Sequence, residues 1–400
     1  MIKIIFLFCY FFVSSASASV ISDPDNLQTV KSVEQRLLEL EQEQKAMEKW
    51  YSDFYLQSQG RVSPFLGEKI ALGGFFETGV TDLYGVDTKT QLSANSNTLG
   101  INIAADFTDN VRFVSQFLTA LGFTIDNPNN NPNATPSRRA FHSIAIGSTV
   151  AQGYVEFSYS EIFNIQSGLG YAPYGHAYQL REPVLFIRRT GPQMINSTDI
   201  DTVGIANPLW SGLHIYGLAL MPHGRSGYDV YTFTPFSNAQ ALGVGGRLWW
   251  EDLEHITFGI STQSGEETNN SYFSYGTDLN LKYDRVGMTV EYAHNKISGD
   301  NPAAESYYAE PYYTFYNGEF LIYLAADYIN LPQHTVASGF TRISDAYKKW
   351  ELGGGINWLP LPNTRFRLGY LKHDYVGATA VINGQDRDCD TIDFSTGIAF

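Results

Sequence analysis

The chain ends Thr391-Ile392-Asp393-Phe394-Ser395-Thr396-Gly397-Ile398-Ala399-Phe400. Ile392, Phe394, Ile398 and Phe400, with Thr396 among them, fall on one side of an extended strand. Asp393, Ser395, Gly397 and Ala399 fall on the other. This period of two is the signature of a strand with two unlike faces. An ordinary edge strand would show the same alternation, so the segments upstream decide what the strand belongs to.

Working back from it, period-2 segments follow one another from Glu68 onward. They run Lys69–Val80, Leu99–Phe107, Asn110–Leu121, Ile146–Tyr159, Phe163–Ala172, Leu213–Met221, Tyr228–Pro235 and Ala241–Glu251. Then come Glu254–Gln263, Tyr272–Tyr283, Arg285–Asn295, Ser306–Tyr316, Glu319–Ile329, Trp350–Trp358, Thr364–His373 and Thr391–Phe400. The count is about sixteen. Asp109-Asn110, Ser160-Glu161-Ile162, Asp252-Leu253, Asp284-Arg285, Asn317-Gly318 and Leu359 to Asn363 read as tight turns, and Met221 to Gly227 as slightly longer. The alternate joins are long and rich in Asn, Ser, Gly and Pro. Short turns at one end and long loops at the other are the asymmetry of an outer-membrane barrel, and soluble sandwiches lack it.

The faces also sort chemically. Val286, Met288, Val290 and Tyr292 oppose Arg285, Thr289 and Glu291; Phe320, Ile322, Leu324 and Tyr328 oppose Glu319, Tyr323 and Asp327. Phe273, Tyr275, Leu279 and Leu281 oppose Asp278, Asn280 and Lys282. A charge on a lipid face costs about 2–4 kcal/mol near the midplane, so the charged set reads as lumen-facing. Trp249, Trp250, Tyr283, Trp358 and Phe400 lie near the tight-turn ends and read as an interfacial aromatic girdle.

At the other end of the chain, Lys3, the apolar run Ile4 to Val13 and Ala16-Ser17-Ala18 predict a signal peptide over 1–18. Its apolar run is too short to span a bilayer. Removing it removes Cys9 and leaves Cys389, so no intrachain disulfide is expected. Losing Lys3 takes the formal charge from −15 to −16, which argues against a nucleic-acid partner. Val30, Val33, Leu37, Leu40, Gln44, Met47, Tyr51 and Phe54 alternate in steps of three and four, a heptad seam. They predict a periplasmic coiled coil within 19–59, followed by a linker at 60–67 and a barrel over 68–400. A helix folded back on its own barrel would fit the same stripe.

Two stretches resemble a known class. The final strand looks like the closing strand of Gram-negative outer-membrane β-barrels, in which Phe394, Ile398 and Phe400 would be read by the barrel-assembly machinery. Gly168-Leu169-Gly170-Tyr171-Ala172-Pro173-Tyr174-Gly175 resembles a segment recurring in bacterial porins, including carboxylate, phosphate and siderophore porins with a similar N-terminal helix. The resemblance implies an all-β transmembrane antiparallel barrel preceded by a coiled-coil helix. It also implies a cell outer membrane location, contact with lipid and lipopolysaccharide, a homotrimer and passage of small hydrophilic solutes. No cofactor is implied.

In porins a long loop after an early strand folds into the barrel. Here that loop is Pro173 to Ser211. Arg181, Arg188 and Arg189 would form a basic group at the constriction, with Glu182, Asp199, Asp201, Asp278 or Glu291 opposing it. Arginine there would favour carboxylate or phosphate solutes through its bidentate fork. On an external loop the same arginines would simply face solvent.

Other signals are weaker. Asp386, Asp388 and Asp390 could bind a divalent cation or belong to a solvated loop. His294-Asn295 with Ser298 departs in order and spacing from outer-membrane phospholipase sites, so no enzyme is expected. Two alternatives to an open porin remain: a substrate-specific uptake porin or receptor, for a ferric siderophore or a carboxylate, and a structural barrel without an open pore. Roughly 330 barrel residues are too few for a plugged 22-stranded receptor.

Overall fold

The computed structural model describes residues 70–400 apart from 86–90, 127–142, 177–186, 189–204, 208, 222, 235–241, 253–254, 268–269, 299–302, 317, 332–346, 362, 377–380, 383–384 and 387. The signal peptide, the coiled-coil seam and the linker therefore lie outside the described residues.

Sixteen strands close into one antiparallel barrel. They are β1 (Ile70–Gly85), β2 (Gln91–Thr108), β3 (Val111–Asp126), β4 (Ser143–Ser160), β5 (Phe163–Tyr171), β6 (Leu209–Met221), β7 (Gly224–Phe233) and β8 (Gly243–Glu251). Then follow β9 (Ile256–Glu267), β10 (Asn270–Tyr283), β11 (Val286–Ile297), β12 (Ala304–Phe315), β13 (Phe320–Leu331), β14 (Tyr347–Leu361), β15 (Thr364–Tyr375) and β18 (Cys389–Ala399). Between the last two, β16 (Val381–Ile382) and β17 (Gln385–Asp386) pair as a separate hairpin. Every predicted strand has its counterpart. The main differences are at the loop ends, where β2 starts at Gln91, within a stretch too polar to read as membrane strand, and β3 runs on to Asp126.

Two joins differ from expectation. β6 and β7 are linked across only Pro222-His223, because Gly224, at φ 134, starts β7 early. β9 and β10 both extend, so their join at the loop rim shrinks to residues 268–269. The tight turns otherwise share one rim, and β18 ends there.

Closure rests on β18. Its inner neighbour is β15 and its outer neighbour β1, in continuous register from Phe75↔Ala399 to Gly85↔Cys389. Phe400 completes the seam by exchanging two backbone hydrogen bonds with Gly74, at 2.8 and 2.9 Å. Phe394, Ile398 and Ile392 point outward, with Phe394 52% exposed, while Thr391, Asp393 and Ser395 are buried inside. The two faces read from the last ten residues are the lipid and lumen faces.

The outside carries aromatic belts at both rims. At the tight-turn rim Phe315, Phe320, Trp358 and Phe366 stack in series across β12 to β15, with centroids 5.4, 6.4 and 5.2 Å apart. Trp250, Tyr283 and Phe400 also lie exposed there. Trp249 does not: it shares the inward face of Arg247 and lies over Gly227, where a Cβ would strike its indole. At the loop rim Tyr307 stacks on Tyr328 at 4.7 Å, and Trp350 packs tilted against Tyr328 at 4.6 Å. Phe320 and Tyr328 are eight residues apart on β13, roughly 26 Å along the strand and about 20 Å in height once tilted, close to the apolar band of an outer-membrane barrel.

Candidate functional site

The interior is polar because the inward set of each strand is polar. Glu77, Asn102, Gln116, Arg247, Asp278, Glu291, Glu310, Asp327, Glu351 and Arg367 are all buried within the barrel. A buried charge is tolerated when it is paired. Arg247 on β8 reaches past β9 to Asp278 on β10, bonding both carboxylate oxygens at 2.5 and 2.8 Å, with Ser261 at 3.3 Å. Arg367 on β15 spans the closing seam to Glu77 on β1, at 3.2 Å, and donates to Ser395 of β18 at 3.4 Å. His214 sits between Gln166 at 2.8 Å and Asp229 at 3.0 Å.

The segment joining β5 to β6 meets this interior in three places. Just after β5, the Tyr174 hydroxyl lies 2.8 Å from Ser274 Oγ, Gly175 N–H donates to Ser261 Oγ at 2.9 Å, and His176 N–H donates to Glu291 at 3.2 Å. In its middle, Ile187 C=O accepts from Asn357 at 2.8 Å. Near its end, Ser274 Oγ donates to Ile205 C=O, and the Gln263 amide brackets the backbone of Asn207, accepting at 2.7 Å and donating at 2.9 Å. Apolar packing accompanies these bonds. Tyr174, Ile205 and Ala206 join Trp210, Tyr231, Phe233, Tyr272, Tyr308 and Ile329 in one buried cluster inside the barrel.

Gly175 is needed at its position. Its φ of +62° is left-handed, and a Cβ would collide with the Glu291 carboxylate. Gly175→Val should therefore free this stretch from the wall without unfolding the barrel. Trypsin should then cut at Arg181, Arg188 or Arg189 several-fold faster in the folded mutant; an unchanged cutting rate would refute the role given to Gly175.

Arg188 is the most heavily charged contact. Its Nη2 donates to Asp327, and its Nε and Nη1 stand 3.5 Å from Glu310 and Glu351. Burial opposes the charged form, but these three carboxylates more than offset it, and the guanidinium is held above its ordinary range. Beyond Arg188, Glu351 also meets Lys349 at 2.7 Å and His373 at 2.9 Å, and His373 reaches Thr391 at 2.6 Å.

His176 behaves oppositely. Burial pushes its imidazole down to about 4, with Arg247 adding to the fall and Asp278 resisting it. The contact of this stretch with the wall is then at full strength above the unfolded value near 6.5, and is lost as pH drops through about 4. The fluorescence of Trp210, in the cluster that Tyr174 joins, should change between pH 6.5 and 4, and His176→Gln should flatten that change; the same acid response in both proteins would refute it.

Several sequence expectations are met and others corrected. Asp278, Glu291 and Asp327 face the lumen. Arg285 does not: it lies exposed in the two-residue turn at the tight rim, past the end of β10 at Tyr283, whereas Lys282 stays within β10 on the face of Asp278 and is exposed near that rim. Arg181, Glu182, Arg189, Asp199 and Asp201 lie outside the described residues. Asp278 and Glu291 do not oppose Arg188; Arg247 and His176 take them, while Asp327, Glu310 and Glu351 take Arg188. Sequence reasoning missed Glu77, Arg247, Glu310, Glu351, Arg365 and Arg367. Their inward parity within each strand was the available signal.

His294 and Asn295 alternate to opposite faces, and His294 packs tilted against Tyr275 outside. Among the described residues no group of three His, Cys, Asp or Glu is placed to hold a metal. Asp388 instead accepts the Tyr375 N–H at 2.7 Å.

A closed sixteen-stranded antiparallel barrel with an apolar outside, aromatic belts and a charged inside is the porin-type barrel of the cell outer membrane. Solved structures with this fold include an anion-selective porin from Comamonas acidovorans, at TM-score 0.55 and 11% identity, covering 83% of this chain and 99% of that one. OmpT of Vibrio cholerae in its trimer form matches at TM-score 0.52 and 10% identity, over 83% and 99%. Salmonella typhi OmpF, in complex with daunomycin, matches at 0.50 and 10%, over 82% and 98%. No protein-family model matches the chain, and no curated protein sequence matches it.

Proposed function

We propose that this protein is an outer-membrane porin that passes small hydrophilic solutes by diffusion through a barrel narrowed by the segment between β5 and β6. The observation that carries this reading is that residues 172–176, 187–188 and 205–207 of one segment all meet inward-pointing side chains. A sixteen-stranded barrel is wide enough for an aqueous path, and charge at its narrow point filters what passes. The periplasmic coiled coil would tie three barrels together, the last strand would address the assembly machinery, and the aromatic belts would sit against lipid and lipopolysaccharide. The anion selectivity of the Comamonas porin is not carried over, because the described interior arginines are matched by carboxylates.

A second reading is a solute-specific uptake channel with a narrow path. It is favoured by how little of the interior is exposed: Arg188 and Arg367 are each 2% exposed and Glu77 1%. Single-channel recording in a planar bilayer under a salt gradient tests both. Large ohmic steps, grouped in threes, are the expected result. Small or absent steps from correctly folded protein would reject the open porin, and saturable solute flux would then support the specific channel.

A further inference from the structure

We propose that Asp327, Glu310 and Glu351 form a binding site for a guanidinium-bearing solute, and that Arg188 occupies it as a tethered stand-in. The proposal rests on the channel reading for solute access and names its substrate class. The three carboxylates come from adjacent strands β13, β12 and β14, and Asp327 pairs directly in register with Glu351. Like charges opposite one another destabilise a sheet, so the wall needs a cation here. The wall itself gives Glu351 one cation, Lys349 at 2.7 Å, but the cation that meets all three carboxylates, Arg188, arrives on a connecting segment, with Ile187 packed against the cluster of Leu321, Tyr323, Ala325 and Leu371.

The fit of Arg188 is incomplete. A guanidinium has five N–H donors in a fork that matches carboxylates bidentately. Arg188 donates from Nη2 to Asp327, while its buried Nε and Nη1 make no hydrogen bond and Glu310 Oε2 accepts none. Charge, more than a full set of hydrogen bonds, holds this side chain against Glu310 and Glu351. A free guanidinium, not constrained by the backbone of Ile187 and Arg188, can rotate to engage two carboxylates at once. The surrounding charges allow one more cation but not many: Lys349 and His373 lie on the far side of Glu351, and Arg365 acts on Glu310 from β15.

The test is calorimetric titration of the full-length, micelle-folded protein with L-arginine, with L-citrulline as the uncharged isostere. Arginine should bind and citrulline should not. If Arg188 leaves the site about a tenth of the time, Arg188→Gln should tighten arginine binding about tenfold, because the competitor is gone. Glu310→Gln should weaken it in the otherwise native chain. Conductance of the same preparations separates the two claims. Channels that conduct while neither the native chain nor Arg188→Gln binds arginine overturn the site and leave the channel standing. Arginine binding by a protein that never conducts overturns the channel and leaves the site. Should Arg188→Gln fail to fold, equal arginine affinity in the native chain and Glu310→Gln overturns the site.

Discussion

A chain stopped at Asp390 is expected to form no closed barrel at all. β18 is bonded on both sides, to β1 from Phe75↔Ala399 to Gly85↔Cys389 and to β15 from Thr364↔Ile398 to His373↔Cys389. Its loss leaves two open edges facing lipid, where each unsatisfied backbone group costs several kcal/mol. It also leaves Arg367 and Glu77, which meet across the seam above Ser395, without the strand between them. No other segment among the described residues has the length and alternation to substitute. The measurement is heat-modifiable migration on a gel together with far-ultraviolet circular dichroism after refolding into micelles. A truncated chain that still migrates as a compact, heat-sensitive species would refute the closing role of the strand. Phe400→Ala should be milder, since its two hydrogen bonds to Gly74 are backbone bonds and survive.

The second large effect is expected from Arg247→Met. Arg247 bonds both oxygens of Asp278, and both residues are buried within the barrel. Removing the guanidinium strands a buried carboxylate, which costs about 3–5 kcal/mol, whereas replacing both partners by apolar groups of similar size is often close to neutral. Thermal unfolding of the micelle-folded protein should fall markedly for Arg247→Met, and Arg247→Met with Asp278→Leu should recover most of the loss. In a bilayer the single mutant should also shift the reversal potential toward cations, since one interior positive charge is gone and Asp278 remains. An unchanged melting temperature in the single mutant would show that water reaches the pair and screens it.

These two cases mark where local pattern suffices and where it does not. The alternation in Thr391–Phe400 is local, so its two faces were legible without a partner strand. The same holds for Val286 to Glu291 and for Phe320 to Asp327, whose inward and outward sets stand as read. Arg285 was misplaced because parity continues on paper past the point where a turn interrupts it. Trp249 was misplaced because two adjacent tryptophans must face opposite sides, and its shared parity with the charged Arg247, which turns it inward, went unread.

The number of strands, the rim that carries the tight turns, the outward apolar face and the existence of a long segment after β5 were determined by the sequence alone. Each follows from a period of two or from turn chemistry within a few residues. Which charges meet was decided only by the tertiary structure. Arg188 and Asp327 are 139 residues apart, and Arg367 meets Glu77 only because the last strand closes on the first. Such pairings depend on register around the whole barrel and on the path of one connecting segment, and no local periodicity encodes either.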